Sequence, residues 1–129
     1  MSAEKELRTV IAVDDFDGVI GFYRDTVGLT VQTEWNGDNG RGVLFDAGRA
    51  VLEIFDRKQQ ESNDILEAGR LVGGDVRIAL KVDDVDDSFH RLVVAGAPLM
   101  SHPLDAPWGH RIARLTTPHG MQLTLFSDL

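Results

Sequence analysis

One short pattern occurs twice in this chain. Arg8-Thr9-Val10-Ile11-Ala12-Val13-Asp14-Asp15-Phe16-Asp17 returns as Arg77-Ile78-Ala79-Leu80-Lys81-Val82-Asp83-Asp84-Val85-Asp86, 69 residues later. Leu52-Glu53-Ile54-Phe55 returns as Leu123-Thr124-Leu125-Phe126, 71 residues later. Two matches at nearly one spacing and in the same order indicate a duplicated unit, and the two-residue drift is a difference in loop length. Both copies must therefore take the same local structure. At 129 residues they form one domain of two half-sized modules sharing a core. A core of that size is modest, so pairing with a second copy would help.

Each copy opens on an alternating apolar strand, 8–13 and 77–82. Asp15 and Asp84 follow where a helix N-cap is wanted, since a carboxylate there accepts otherwise unpaired backbone N–H groups. Phe16, Ile20, Tyr23 and Val27 then recur at helical spacing, as do Val85, Phe89, Leu92 and Val93. Gly28 and Gly96 stop the two helices. Three strands complete each copy: 30–35, 42–46 and 50–56 in the first, and 98–102, 110–116 and 121–127 in the second. Turns are expected at 36–40, at 47–49 and at Thr117-Pro118-His119-Gly120. The reading is α+β, two tandem βαβββ modules at about 7–56 and 75–128. A polar linker, 57–74, joins them and carries at most a short helix near 63–68.

Period-two alternation sorts the strand residues into two faces. Ile11, Val13, Leu52, Ile54, Ile78, Leu80, Val82, Leu123 and Leu125 form a uniformly aliphatic face, which the helices must cover. Opposite them stand Arg8, Val10, Ala12, Glu53, Phe55, Arg77, Ala79, Thr124 and Phe126. That mixture of small, aromatic and charged side chains suits a surface that receives a ligand.

The chain carries 21 acidic and 13 basic residues, a net charge of -8, which repels nucleic acid and anionic membranes as partners. Cysteine is absent, which excludes disulfides and thiolate chemistry and fits a cytoplasmic location. The first residues show no apolar leader, and no apolar run is long enough to span a membrane.

Val13-Asp14-Asp15-Phe16-Asp17, then Gly21-Phe22-Tyr23-Arg24-Asp25 and Gly28-Leu29, resemble the strand, cap and first helix of the vicinal oxygen chelate superfamily. That superfamily comprises glyoxalases, extradiol dioxygenases, fosfomycin-modifying enzymes and bleomycin-type resistance proteins. Trp108-Gly109-His110-Arg111, with Thr117-Pro118-His119-Gly120 and Leu123 to Phe126, resembles its closing hairpin. The resemblance implies cupped, partly open mixed sheets with helices on the outer face, and a homodimer with two pockets. It also implies metal ligands on the first and fourth strands of each module, points that fall on Arg8, Glu53, Arg77 and Thr124. Of these only Glu53 could hold a cation. A guanidinium has no acceptor lone pair and stays protonated. No metal or other cofactor is expected there. The four histidines include no pair at the tight helical spacing of a metal motif.

The expected ligand-binding set therefore combines the polar residues Arg8, Glu53, Arg77, His110 and Thr124 with aromatic walls at Trp35, Phe45, Phe55, Trp108 and Phe126. With two arginines around one carboxylate, one positive charge is left to meet an anionic or carbonyl-rich group. The same arginines are expected to lower the Glu53 pKa and weaken it as a base. The leading expectation is a binder that sequesters a small planar, polar natural product or antibiotic. The alternatives are a metal-independent enzyme with Glu53 as general base, and a glyoxalase-like metal lyase or dioxygenase with its metal elsewhere.

Overall fold

The computed structural model describes residues 6–117 and 120–129. Pro118 and His119 of the expected last turn lie outside the described residues; on either side of them Gly120 donates its backbone N–H to the Thr117 carbonyl at 2.9 Å. The first module runs β1 (Glu6–Val13), α1 (Phe16–Gly21), β2 (Thr30–Gly37), β3 (Gly40–Ala47) and β4 (Ala50–Asp56). A helix α2 (Arg57–Ala68) follows. The second module runs β5 (Val76–Lys81), α3 (Val85–Val94), β6 (Leu99–Ala106), β7 (His110–Thr116) and β8 (Gln122–Asp128).

The strands form one open mixed sheet in the order β2-β3-β4-β1-β5-β8-β7-β6. Within each module the first strand lies parallel to the last, β1 to β4 and β5 to β8. The modules meet along β1 and β5, which run antiparallel with Arg8 opposite Ala79 and Val10 opposite Arg77. Since Arg77 repeats Arg8 and Ala79 repeats Val10, this register is a local two-fold. It brings the two arginines to one face as diagonal neighbours.

The expected caps form. Asp15 accepts the Gly18 N–H at 3.2 Å, and Asp84 accepts the Asp87 N–H at 3.1 Å. On the outer face, Phe16 and Ile20 of α1 pack with Ile11, Val13, Val43, Phe45, Leu52 and Ile54. Val85, Phe89 and Leu92 of α3 pack with Leu80, Val82, Leu115, Leu123 and Leu125. Two stripe residues depart from expectation. After Gly21 the helix widens into a π-helical turn, Phe22–Val27, closed by the Gly28 and Leu29 N–H groups on the Tyr23 carbonyl. The wider turn shifts the phase, so Val27 rotates out to 51% exposure and Leu29 packs in its stead. Val93 of α3, at the far end of its stripe, is also exposed.

The larger correction concerns the segment expected to be a linker. Residues 57–68 form three turns of α-helix, capped by Asp56 accepting the Gln59 N–H at 2.8 Å and stopped at Gly69. This helix lies on the face opposite α1 and α3, against β1, β3 and β4 of one module and β6 and β7 of the other. It is inverted: Gln59, Asn63, Asp64 and Glu67 are buried, while Ile65 is 53% exposed and Leu66 also faces outward. Polar burial of this kind needs partners, and Arg114 of β7 supplies them. Arg114 is wholly inaccessible to solvent, with Nε on Glu67 and Nη1 on Asp64, each at 2.7 Å. Burial would raise the Asp64 carboxyl, but the Gly73 N–H, Arg114 and the Val72 N–H outweigh it and hold the group below the usual range.

Arg114→Met is expected to lower unfolding stability by about 3–5 kcal/mol, because it strands two buried carboxylates. Urea denaturation checks this. A loss within about 1 kcal/mol would mean that α2 is held by something else.

Candidate functional site

The inner face carries two rows of side chains across the modules. By strand register one row is Leu44, Glu53, Val10 and Arg77, and the other is Arg114, Thr124, Ala79 and Arg8. Each row ends on an arginine from the opposite module, a direct consequence of the β1–β5 pairing. Where the first row holds Leu44, the second holds Arg114, whose carboxylate partners Asp64 and Glu67 lie on α2, so the helix reaches across the inner face from β3 to β6.

What remains is a cavity of about 540 Å³. Arg8, Glu53, Arg77, Thr124, His110, Trp35, Phe55, Trp108 and Phe126, nine of the ten expected site residues, line it. Phe45 does not. Its side chain is fully buried on the outer face, packed with Tyr23 and opposite Leu52, while its neighbour Leu44 faces the cavity. Sequence reasoning missed the wall contributed by α2, namely Gln59, Asn63 and Glu67, and the rim at Gly37–Gly40.

The aromatic walls are held, not merely collected. Trp35 donates its indole N–H to Gln59 Oε1 at 2.9 Å, and Gln59 donates in turn to Asn63 Oδ1 at 2.8 Å. The indole lies across Gly42, where a Cβ would fall 2.0 Å from Cζ2, so only glycine leaves it room. Trp35 and Phe55 meet edge to face at 6.1 Å. Trp108 sits in the β6–β7 turn, 42% exposed at the rim.

The charges are distributed otherwise than expected. Arg8 gives Nε to Glu6 at 2.7 Å and stacks over Phe126 at 4.8 Å, leaving Nη1 3.9 Å from Glu53. Arg77 donates to Thr124 Oγ1 and lies 4.0 Å from Glu67. Each guanidinium thus already lies beside a carboxylate, Arg8 beside Glu6 and Arg77 beside Glu67. Glu53 accepts no hydrogen bond among the described residues. Burial pushes its carboxyl above the usual range, an effect that Arg8 and then Arg77 only partly offset. The expectation that the arginines would depress it is overturned: at these distances, without hydrogen bonds, their attraction does not match the desolvation.

The four family ligand points, Arg8, Glu53, Arg77 and Thr124, share this cavity but do not fit a metal ion. Two are guanidiniums, and the Thr124 hydroxyl is taken by Arg77.

A carboxyl held above its ordinary 4.5 weakens the fold once it must ionise. Below that value folded and unfolded chains both keep the proton. Above it the unfolded chain releases its proton more readily, so stability falls until the folded group ionises too. Glu53→Gln is therefore expected to raise the melting temperature at pH 7 and above, with the gain vanishing below about pH 4. Melting curves across pH check this, and a loss of stability at pH 7 would show Glu53 to be firmly paired.

Comparison with known proteins agrees with this architecture. The family model described as Glyoxalase/Bleomycin resistance protein/Dioxygenase superfamily matches residues 7–125. The uncharacterized protein YraH of Bacillus subtilis is 27% identical over 130 residues, covering 97% of this chain and 99% of its own. A hypothetical protein from Bacillus halodurans superposes with a TM-score of 0.76 at 16% identity, covering 100% of this chain and 96% of that one. Methylmalonyl-CoA epimerase from Mycobacterium tuberculosis superposes with a TM-score of 0.72 at 22% identity, covering 100% of this chain and 91% of its own. Likenesses at such identities speak to the fold. With the family model spanning nearly every element, the chain belongs to the glyoxalase/bleomycin resistance protein/dioxygenase superfamily.

Proposed function

We propose that the protein binds a planar, polar small molecule on its inner face and releases it unchanged. The observation that carries this reading is the cavity itself. Its volume, about 540 Å³, falls within the range of ordinary ligand sites, and Trp35, Phe55, Trp108 and Phe126 wall it. Flat conjugated molecules stack on such faces. The polar groups among the walls, Glu53, Thr124 and Asn63, would orient them. A cytoplasmic homodimer with no nucleic acid or membrane partner completes the proposal. No described helix is long and apolar enough to cross a membrane.

One observation favours a second reading. Glu53 accepts no hydrogen bond among the described residues and has a raised pKa, as a general base would require. Proton abstraction beside a carbonyl, with Arg8 and Arg77 steadying the enolate, is the chemistry those groups could perform without a metal. Methylmalonyl-CoA epimerase shares the fold, which makes proton transfer a natural alternative.

Both tryptophans of the chain line the cavity, so fluorescence quenching reports directly on its occupancy. A panel of planar polar aromatic compounds is expected to contain at least one saturable quencher. Trp108→Ala should weaken that binding by roughly 2- to 10-fold. Silence across the panel would count heavily against the proposal. Deuterium exchange from heavy water into the bound compound, lost in Glu53→Gln, would favour the enzyme over the binder.

A further inference from the structure

We propose that the molecule this pocket takes is a cation: a planar ring system bearing a protonated nitrogen that seats against Glu53. The inference rests on the binding reading above and names the class of ligand.

It follows from how the charges on the inner face are paired. Three guanidiniums lie there, and three carboxylates answer them. Arg8 is held by Glu6 at 2.7 Å, and Arg114 by Asp64 and Glu67, each at 2.7 Å. Arg77 is tied to Thr124 and lies 4.0 Å from the same Glu67. A fourth carboxylate, Glu53, is left with only the 3.9 Å approach of Arg8 as an ion pair, and it lines the cavity. His110 adds no charge at neutral pH, since burial and then Arg8 lower its pKa. Asp38 at the rim adds one more negative charge. The site therefore carries a surplus of carboxylate.

An anionic occupant would have to share Arg8 with Glu6 and set its own charge beside Glu53 and Glu67. Both steps are costly in a partly desolvated site. A cationic occupant does the opposite. It gives Glu53 the hydrogen-bonded partner that it lacks among the described residues, so the cost of ionising a buried carboxyl is met on binding. The aromatic walls act in the same direction. Arg8 already lies over Phe126 and Arg77 over Phe55, but no guanidinium lies over Trp35 or Trp108 among the described residues. Indole is the ring that attracts cations best.

Three flat probes of one size test this by titration of the full-length protein: 9-aminoacridine, which is cationic at neutral pH, neutral anthracene-9-methanol, and acridine-9-carboxylate. The cation is expected to bind roughly 10- to 100-fold more tightly than the anion, the range of one charge-assisted hydrogen bond. Glu53→Gln should remove most of that difference. Removing an equal charge at exposed Glu61, with Glu61→Gln, should leave it intact. If both variants lose the preference alike, the attraction belongs to the net charge and the assignment to Glu53 is overturned. If the neutral or anionic probe binds as well as the cation, the ligand class is wrong while the pocket stands. If no probe of any charge binds, both fail together.

Discussion

Arg114 fixes the inner face. Its guanidinium is sealed from solvent and bonded to Asp64 and Glu67 of α2, so the helix joining the modules is clamped across the sheet. A buried ion pair is seldom the most stabilising solution, since apolar residues of equal volume often serve as well. Here it has a geometric use. It fixes which side of α2 meets the sheet, and thereby sets Gln59 against Trp35 and Glu67 near Arg77. One further nitrogen, Arg114 Nη2, is buried without a hydrogen-bond partner among the described residues, so the clamp is held at some energetic cost.

The electrostatics of the cavity follow from that clamp. With Glu67 brought by α2 between Arg114 and Arg77, the arginine on β5 makes no hydrogen bond to Glu53 among the described residues and only attracts it from a distance. Glu6, at the start of β1, similarly occupies Arg8. Two carboxylates outside the repeated pattern thus determine the state of one inside it. Glu53 is left desolvated, weakly attracted and accessible from the cavity, the condition in which a carboxyl binds a cation or moves a proton.

Much of this was legible in the sequence. The repeat, the strands, the Asp15 and Asp84 caps and the sorting of β1, β4, β5 and β8 into two faces all appear in the structure. These rest on local, periodic signals that tertiary context seldom overrides. Phe45 was misplaced because β3 was never given a face. The signal existed: a two-residue turn at Gly48–Arg49 sets Ala47 opposite Ala50, and hence Phe45 opposite Leu52 on the aliphatic side. Val27 could not be placed, because a π-turn changes the helical period within one turn. Helix α2 was the deepest omission. Periodicity reads a helix by its apolar stripe, and this one buries its polar stripe while exposing Ile65 and Leu66. Asp56 and Gly69 were visible as its stops, and Gln59, Asn63 and Glu67 stood at four-residue spacing. Only the partner, Arg114, was unknowable before the strands were ordered. Local rules fail there because the segment serves the pocket before it serves the core.

The duplicated backbone also bears on the shape of the cavity. The β1–β5 pairing treats both modules alike and delivers symmetric rows to the inner face. Symmetry of the chain alone would give two equivalent half-pockets. Within the rows the side chains break it at three pairs of positions, Leu44 against Arg114, Glu53 against Thr124 and Val10 against Ala79. Arg114 pairs with two carboxylates of α2 and is buried beneath the helix, while Thr124 accepts a hydrogen bond from Arg77 and neutralises nothing. Leu44 lines the cavity instead, paired across β3 and β4 with Glu53. An exchange of leucine for arginine between equivalent strands therefore anchors one helix across the cup, and the cavity left beside it is walled by both modules.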